Sequence, residues 1–324
     1  MAENYGLPYA GSKSRIAHWV IDQLPRGRVL IDAFAGGCAI THCALLSQKW
    51  QTIIANDING KYQQLFLDAV RGKYRDERRW ISREDFERLK SQDAFFACCW
   101  SFGNNLQVYM YSKVIEPYKR ALHYAIVLDD FAPMQELMPE VSQAVHEAIH
   151  LIRNTHDRRI TAQNVIVETL KRLTGDNYAH QIIQSNPLFR CIRHSRRGAQ
   201  SLGRLESLES LERMKRLERL ESLERLRVTS LSYDEIDIPD DAVVYCDPPY
   251  HASYNILYEG TAGAFDHCAF YDWCVRVSKT NPIFISEYSI EDDRFEIVAE
   301  KQKMTSMSPV KSFNVTERLY TVKK

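Results

Sequence analysis

Residues 29–57 constrain the fold more tightly than any other stretch. Val29-Leu30-Ile31-Asp32 is a short apolar run of the kind that forms a buried strand. It enters Ala33-Phe34-Ala35-Gly36-Gly37-Cys38, and a helix is expected from about Ala39 to Lys49. Thr52-Ile53-Ile54-Ala55 reads as the next strand and ends at Asn56-Asp57-Ile58-Asn59. Strand, glycine turn, helix, strand and acid, in that order, make one half of a doubly wound α/β sheet. The interval from the glycines to Asp57 is about 20 residues, the spacing at which such a half places an acid on a ribose. The glycines do not make a full G-x-G-x-x-G, which argues against a nicotinamide-dependent oxidoreductase.

A second landmark is Val243-Val244-Tyr245-Cys246-Asp247-Pro248-Pro249-Tyr250. The apolar run reads as another buried strand, and two prolines that cannot donate to a ladder must end it. In an open α/β sheet, ligands bind at the carboxyl ends of the strands. Asp247, the Pro248 and Pro249 carbonyls and the Tyr250 ring therefore stand at the mouth of a site.

The remaining chain arranges itself around these two landmarks. Pro8-Tyr9-Ala10-Gly11-Ser12-Lys13 precedes an amphipathic helix expected from Ser14 to about Leu24. Residues 62–201 read as a mostly helical insert rich in aromatics and arginines. It contains the turn-like cluster Trp100-Ser101-Phe102-Gly103-Asn104-Asn105 and a basic run with Arg190, Arg193, Arg196 and Arg197, with Arg153, Arg158 and Arg159 upstream. Residues 202–227 carry a leucine or methionine at every third position. A period of three walks the apolar residues backward by about 60° per step around an α-helix of 3.6 residues per turn, so this is no coiled coil. Composition and Glu–Arg pairs favour an α-helix, with a 3₁₀ stretch or stacked turns as the alternative. The sheet resumes at residue 228, with a strand at Arg227–Leu231, a helix over Phe265–Lys279, a strand at Pro282–Ser286, and a terminal antiparallel hairpin from Phe295–Val298 and Arg318–Val322. The expected division is a catalytic domain of residues 1–61 and 228–324, the insert, and the repeat.

Lysine plus arginine number 42 and aspartate plus glutamate 42, so a nucleic-acid partner must be met by a local basic patch. No apolar run approaches a membrane span, and no signal peptide is evident, so a cytoplasmic protein is expected. The eight cysteines contain no C-x-x-C and are read as reduced, mostly buried thiols; no metal site is expected.

Four pieces together resemble one family. Tyr9-Ala10-Gly11-Ser12-Lys13, Phe34-Ala35-Gly36-Gly37, Asn56-Asp57-Ile58-Asn59 and Asp247-Pro248-Pro249-Tyr250 stand in the order of the Dam-type DNA adenine-N6 methyltransferases. The likeness covers residues 5–75 and 228–324. It departs at Asp32-Ala33-Phe34, where Glu-Pro-Phe is usual, and at Ser232-Tyr233-Asp234, where an acidic-aromatic pair is usual. The triplet repeat points toward a phage or mobile-element relative.

The resemblance implies a Rossmann-like S-adenosylmethionine-dependent methyltransferase sheet with a helical target-recognition insert. It implies S-adenosylmethionine as methyl donor and double-stranded DNA as partner, with no metal and no membrane. Tyr9, Lys13, Asp32, Phe34, Ala35, Gly36, Gly37, Asp57 and Tyr233 would surround the cofactor. Asp32 has a structural role as its alternative. Asp247, Pro248, Pro249 and Tyr250 would form the catalytic motif. Arg190, Arg193, Arg196, Arg197, Asn104 and Asn105 would meet DNA, with a solvated face as the alternative for the arginines and core plus a turn as the alternative for the asparagines. Cytosine-N4 or RNA adenine methylation is the competing activity, and a DNA-binding protein without catalysis is the competing class.

Overall fold

The computed structural model describes residues 4–173, 203–217, 220, 223–250, 265–305 and 313–324. The chain divides into two units: residues 1–73 with 214–324, and residues 74–213.

The first unit is built on a seven-stranded sheet. Its strands are β1 (Gly27–Asp32), β2 (Trp50–Asn56), β3 (Leu226–Thr229), β4 (Val243–Cys246), β5 (Ile283–Glu287), β6 (Phe295–Thr305) and β7 (Phe313–Val322). The order across the sheet is β3-β2-β1-β4-β5-β7-β6. The first five are mutually parallel, and β7 runs antiparallel between β5 and β6. Parallel strands need both faces covered, so β4 and β5 are buried at every position and mostly apolar, with Ser286 and Glu287 closing β5. Among the described residues this unit carries the helices α1 (Ala17–Gln23), α2 (Ala39–Ser47), α3 (Lys61–Val70) and a later one, His267–Val277. The last buries Phe270, Trp273 and Cys274 against Val244, Cys246 and Ile285, while Val277 is only partly buried.

β1 pairs with β2 on one side and β4 on the other. This is where the chain reverses its direction of travel across the sheet, and where a crevice opens at the carboxyl edge. The turn after β1 is divided between the two neighbours. Ala33 N–H bonds to Tyr245 O of β4 at 2.9 Å, and Ala35 N–H bonds to Asn56 O of β2 at 2.8 Å. Asn56 reinforces the junction: its amide donates to Ala33 O and Leu231 O and accepts from Thr229 Oγ1 and Leu231 N–H. One buried side chain thus binds the ends of β1, β2 and β3 together.

The second unit is helical, with α4 (Arg83–Leu89), α5 (Ala94–Trp100), α6 (Glu116–His123), α7 (Ala132–Leu137), α8 (Pro139–Ile149), α9 (Thr155–Leu173) and most of α10 (Glu206–Leu217). A π-helical turn, Tyr124–Leu128, follows α6. The helix His267–Val277 is α11. Residues 62–73 lie in the sheet unit, so the division falls after α3 rather than at residue 62.

The triplet repeat resolves in favour of the α-helix over Glu206–Leu217, with a short 3₁₀ turn at Leu223–Arg225. Leu205, Leu208, Leu211, Met214 and Leu217 are all buried. The division between the units falls inside α10, between Arg213 and Met214. The apolar direction rotates along the helix by about 60° per triplet, so the first three leucines and the last two apolar residues do not share one face. Glu212 receives a two-pronged bond from Arg159, at 2.7 and 2.9 Å. No helix among the described residues is long and apolar enough to cross a membrane.

Candidate active site

Asp247 leaves β4 at the carboxyl edge, as the proline stop requires. Its Oδ1 accepts a hydrogen bond from Lys13 Nζ at 2.7 Å. The Lys13 side chain is almost wholly buried and lies 3.6 Å from Glu317 Oε1 as well. Burial works against charge on Lys13, but Asp247 and Glu317 more than offset it and hold its pKa above the ordinary lysine value. The same ammonium stands 4.4 Å from the centroid of the Tyr250 ring. The Tyr250 hydroxyl donates to Glu317 Oε1, and Tyr288 packs edge-on against the Tyr250 ring at 4.6 Å. Burial, with Asp247 and Glu317 nearby, pushes the Tyr250 phenol well above its usual value, so it stays protonated and donates. The turn of prolines is tied down by His267, whose Nε2 lies 3.0 Å from Pro249 O. A carbonyl only accepts, so that nitrogen carries the proton. Pro248, directly after Asp247, is buried.

The glycine turn follows β1, the strand paired with β4. Gly36 has φ +45°. Its N–H donates to Asp57 Oδ2 at 2.9 Å and its carbonyl accepts from Gln63 Nε2 at 2.9 Å. A Cβ added to Gly37 would lie 2.6 Å from Tyr9 Cβ, so the Tyr9 side chain occupies the space that this glycine leaves. Tyr9 also meets Tyr62 edge to face at 5.0 Å. The segment before Lys13 is anchored along the same edge by Gly6 N–H to His42 Nδ1 and Leu7 N–H to Gly37 O. Ala35 is buried, and Phe34 is half-buried in a cluster with Tyr233, Phe265 and Phe270.

These residues fit an adenosyl group. Asp57 is a half-buried carboxylate at the end of β2, fixed by Gly36 N–H and by Asn59 N–H at 2.9 Å. Burial raises its pKa, against the pull of those two donors. Beside it Ile58 is 74% exposed, an apolar side chain left open at the carboxyl edge. An oriented carboxylate, an open aliphatic side chain and half-buried aromatic rings are the groups that a ribose and a purine need.

Asp32 stands apart from that set. It is buried, and its Oδ2 accepts from Thr41 N–H and Thr41 Oγ1 at 3.1 and 2.6 Å, in the first turn of α2. Burial pushes its pKa up to about 7, only partly opposed by Thr41. The structural alternative is therefore the one its contacts describe.

The residues expected on DNA divide. Arg190, Arg193, Arg196 and Arg197 lie outside the described residues. Asn104 donates to Cys98 O, and Asn105 Oδ1 accepts from Gln107 N–H and Val108 N–H, each at 3.0 Å, so both asparagines shape their own loop. Phe102 and Val108, at the shoulders of that loop, are exposed. Of the upstream arginines, Arg158 binds Ala125 O and Asp129, and Arg159 is buried on Glu212. Arg153 is exposed. No group of three or more His, Cys, Asp or Glu side chains that could hold a metal occurs among the described residues.

Glu317, Tyr288, His267 and Gln63 were not singled out from sequence. Glu317 had a signal: it shares the inward side of β7 with Leu319, where a carboxylate is out of place without partners.

Residues 9–128 match the family model of the D12 class N6 adenine-specific DNA methyltransferases. The matched segment makes up little more than a third of the chain. The seven-stranded sheet with its flanking helices fits the α/β Rossmann-like methyltransferase fold expected from the sequence. The D12 match includes Tyr9, Lys13, the glycine turn and Asp57, and ends before Asp247. A relative, the Type II methyltransferase M2.HphI of Haemophilus parahaemolyticus, is 38% identical over 63 residues, 19% of this chain and 18% of the relative. The chain thus spans less than a fifth of that relative's length.

Proposed function

We propose that the protein transfers the methyl group of S-adenosylmethionine to N6 of an adenine in double-stranded DNA. The observation that carries the reading is the buried Lys13 fastened to Asp247 at the carboxyl end of β4, one strand from the glycine turn. The D12 match supports the donor and the base.

N6 of adenine is a poor nucleophile because its lone pair is delocalised into the ring. Asp247 accepts one of its hydrogens and the Pro248 carbonyl the other. Both bonds strengthen as nitrogen becomes tetrahedral and positive, so they act chiefly in the transition state, and the methylated nitrogen then releases one proton along its hydrogen bond to Asp247 and on to water. Lys13 holds the Asp247 carboxylate in place. Tyr250 offers a ring face to the base. S-adenosylmethionine, when bound, supplies an electrophilic methyl group with its own neutral leaving group. Asp57 takes the ribose hydroxyls, and Phe34, Ile58 and Tyr233 enclose the purine. A base inside a duplex is out of reach, so the target is flipped out at a cost of a few kcal/mol.

The test is to incubate the protein with unmodified genomic DNA and S-adenosylmethionine and to sequence single molecules. N6-methyladenine confined to one short motif is the expected result. N4-methylcytosine would move the substrate, and an unmarked genome would overturn the reading.

A further inference from the structure

Glu317 is fully buried on β7, a strand distant in sequence from every motif that defines the site. An isolated carboxylate there would be costly, and an apolar side chain of similar size would fill the same strand face. What keeps a charge in that position is visible in its contacts. Oε1 accepts from the Tyr250 hydroxyl, and the Lys13 ammonium lies 3.6 Å from the same atom. Lys13 in turn reaches Asp247 at 2.7 Å and covers the Tyr250 ring at 4.4 Å. Tyr288 abuts the ring edge-on, with planes at 85°.

We propose that Glu317 is a positioning residue for methyl transfer, fixing the plane of Tyr250 and the ammonium of Lys13 and, through Lys13, the Asp247 carboxylate. The inference rests on the methyl-transfer reading. A ring attached only through its Cβ turns about two dihedrals. With its hydroxyl anchored to Glu317 and its edge against Tyr288, one orientation remains. The ammonium over the ring is shared between the two carboxylates, so the aspartate that meets N6 and the ring that meets the base are set by one group. Glu317 itself need not touch substrate.

The experiment is single-turnover methylation of DNA by the full chain, with cofactor affinity and melting temperature measured alongside. Glu317→Gln keeps shape and removes charge, Glu317→Leu removes both contacts, and Tyr250→Phe removes only the hydroxyl. Misplacement by about 1 Å costs up to about a hundredfold. Glu317→Gln is therefore expected to lower the transfer rate about 10- to 100-fold while cofactor affinity stays within about twofold. Tyr250→Phe should slow transfer less, and adding it to Glu317→Leu should cost little more, because the anchor is already gone. Should Glu317→Leu not fold, the same comparison is made on Glu317→Gln. Fully additive losses, or a transfer rate in Glu317→Gln within about twofold of wild type, would overturn the role. A wild-type protein that methylates no DNA would overturn the proposed function and this inference with it, an outcome distinct from an active wild type with an indifferent Glu317.

Discussion

Replacing Asp32 by asparagine should make the protein more stable at neutral pH and remove a slope from its stability curve. The unfolded carboxyl titrates near 3.8 and the folded one at about 7. Between those values the folded state holds a proton that the unfolded state has released. Stability from this group is thus fully present below about pH 4 and declines as pH rises toward 7, by about 1.4 kcal/mol per pH unit. The interval of roughly three units corresponds to roughly 4 kcal/mol, an upper figure because the site can relax when it ionises. Asparagine keeps an oxygen for Thr41 N–H and Thr41 Oγ1 and carries no charge to bury. The assay is urea unfolding of both proteins from pH 4.5 to 8, read as the difference between them, which cancels groups common to both. The difference should start small in acid and grow in favour of Asp32→Asn. A difference independent of pH would refute the reasoning, and so would one that grows in favour of wild type.

Asp247→Ala should abolish methyl transfer while leaving cofactor binding measurable by calorimetry; full activity would remove Asp247 from the mechanism. Gly37→Ala places a methyl group against Tyr9 and should destabilise the protein by about 1–3 kcal/mol, with melting temperature recovered when Tyr9→Ala is added. Arg159→Met breaks a buried pair with Glu212 and should cost about 3–5 kcal/mol in unfolding measurements without changing the salt dependence of DNA binding. Replacing Arg193, Arg196 and Arg197 by alanine should flatten that dependence by up to about one unit of slope per phosphate contact, and an unchanged slope would assign the run to solvent.

The parallel sheet was legible because each strand buried on both faces is a short apolar run with a clear stop: Asp32, Asn56 and Asp247 mark the carboxyl edge. The terminal hairpin and α11 were legible from alternation and helical spacing. The arginines were harder to read, since a sequence lists charge without saying what faces it. Arg159 looks like part of a basic patch until Glu212, 53 residues later, is brought beside it. The amides of Asn104 and Asn105 close their own turn, a local role that a residue list does not display. The period-three repeat contains no information about which side is covered, because its apolar direction rotates along the helix. Glu317 was the costliest omission, since its partners Lys13 and Tyr250 lie far from it along the chain.

The anchorage of Lys13 also bears on synthesis. Its partner Asp247 lies 234 residues further along, and Glu317 later still. At about 5–20 residues per second, roughly 10–50 s separate the lysine from the aspartate on the ribosome. Throughout that interval the glycine turn, α2 and β2 can already pair, yet the ammonium has neither carboxylate. The Lys13–Asp247–Glu317 cluster is thus the last part of the sheet unit to be completed, and a chain interrupted before β7 lacks the carboxylate that meets Lys13 and Tyr250. Incomplete copies would retain much of the scaffold and none of the assembled chemistry.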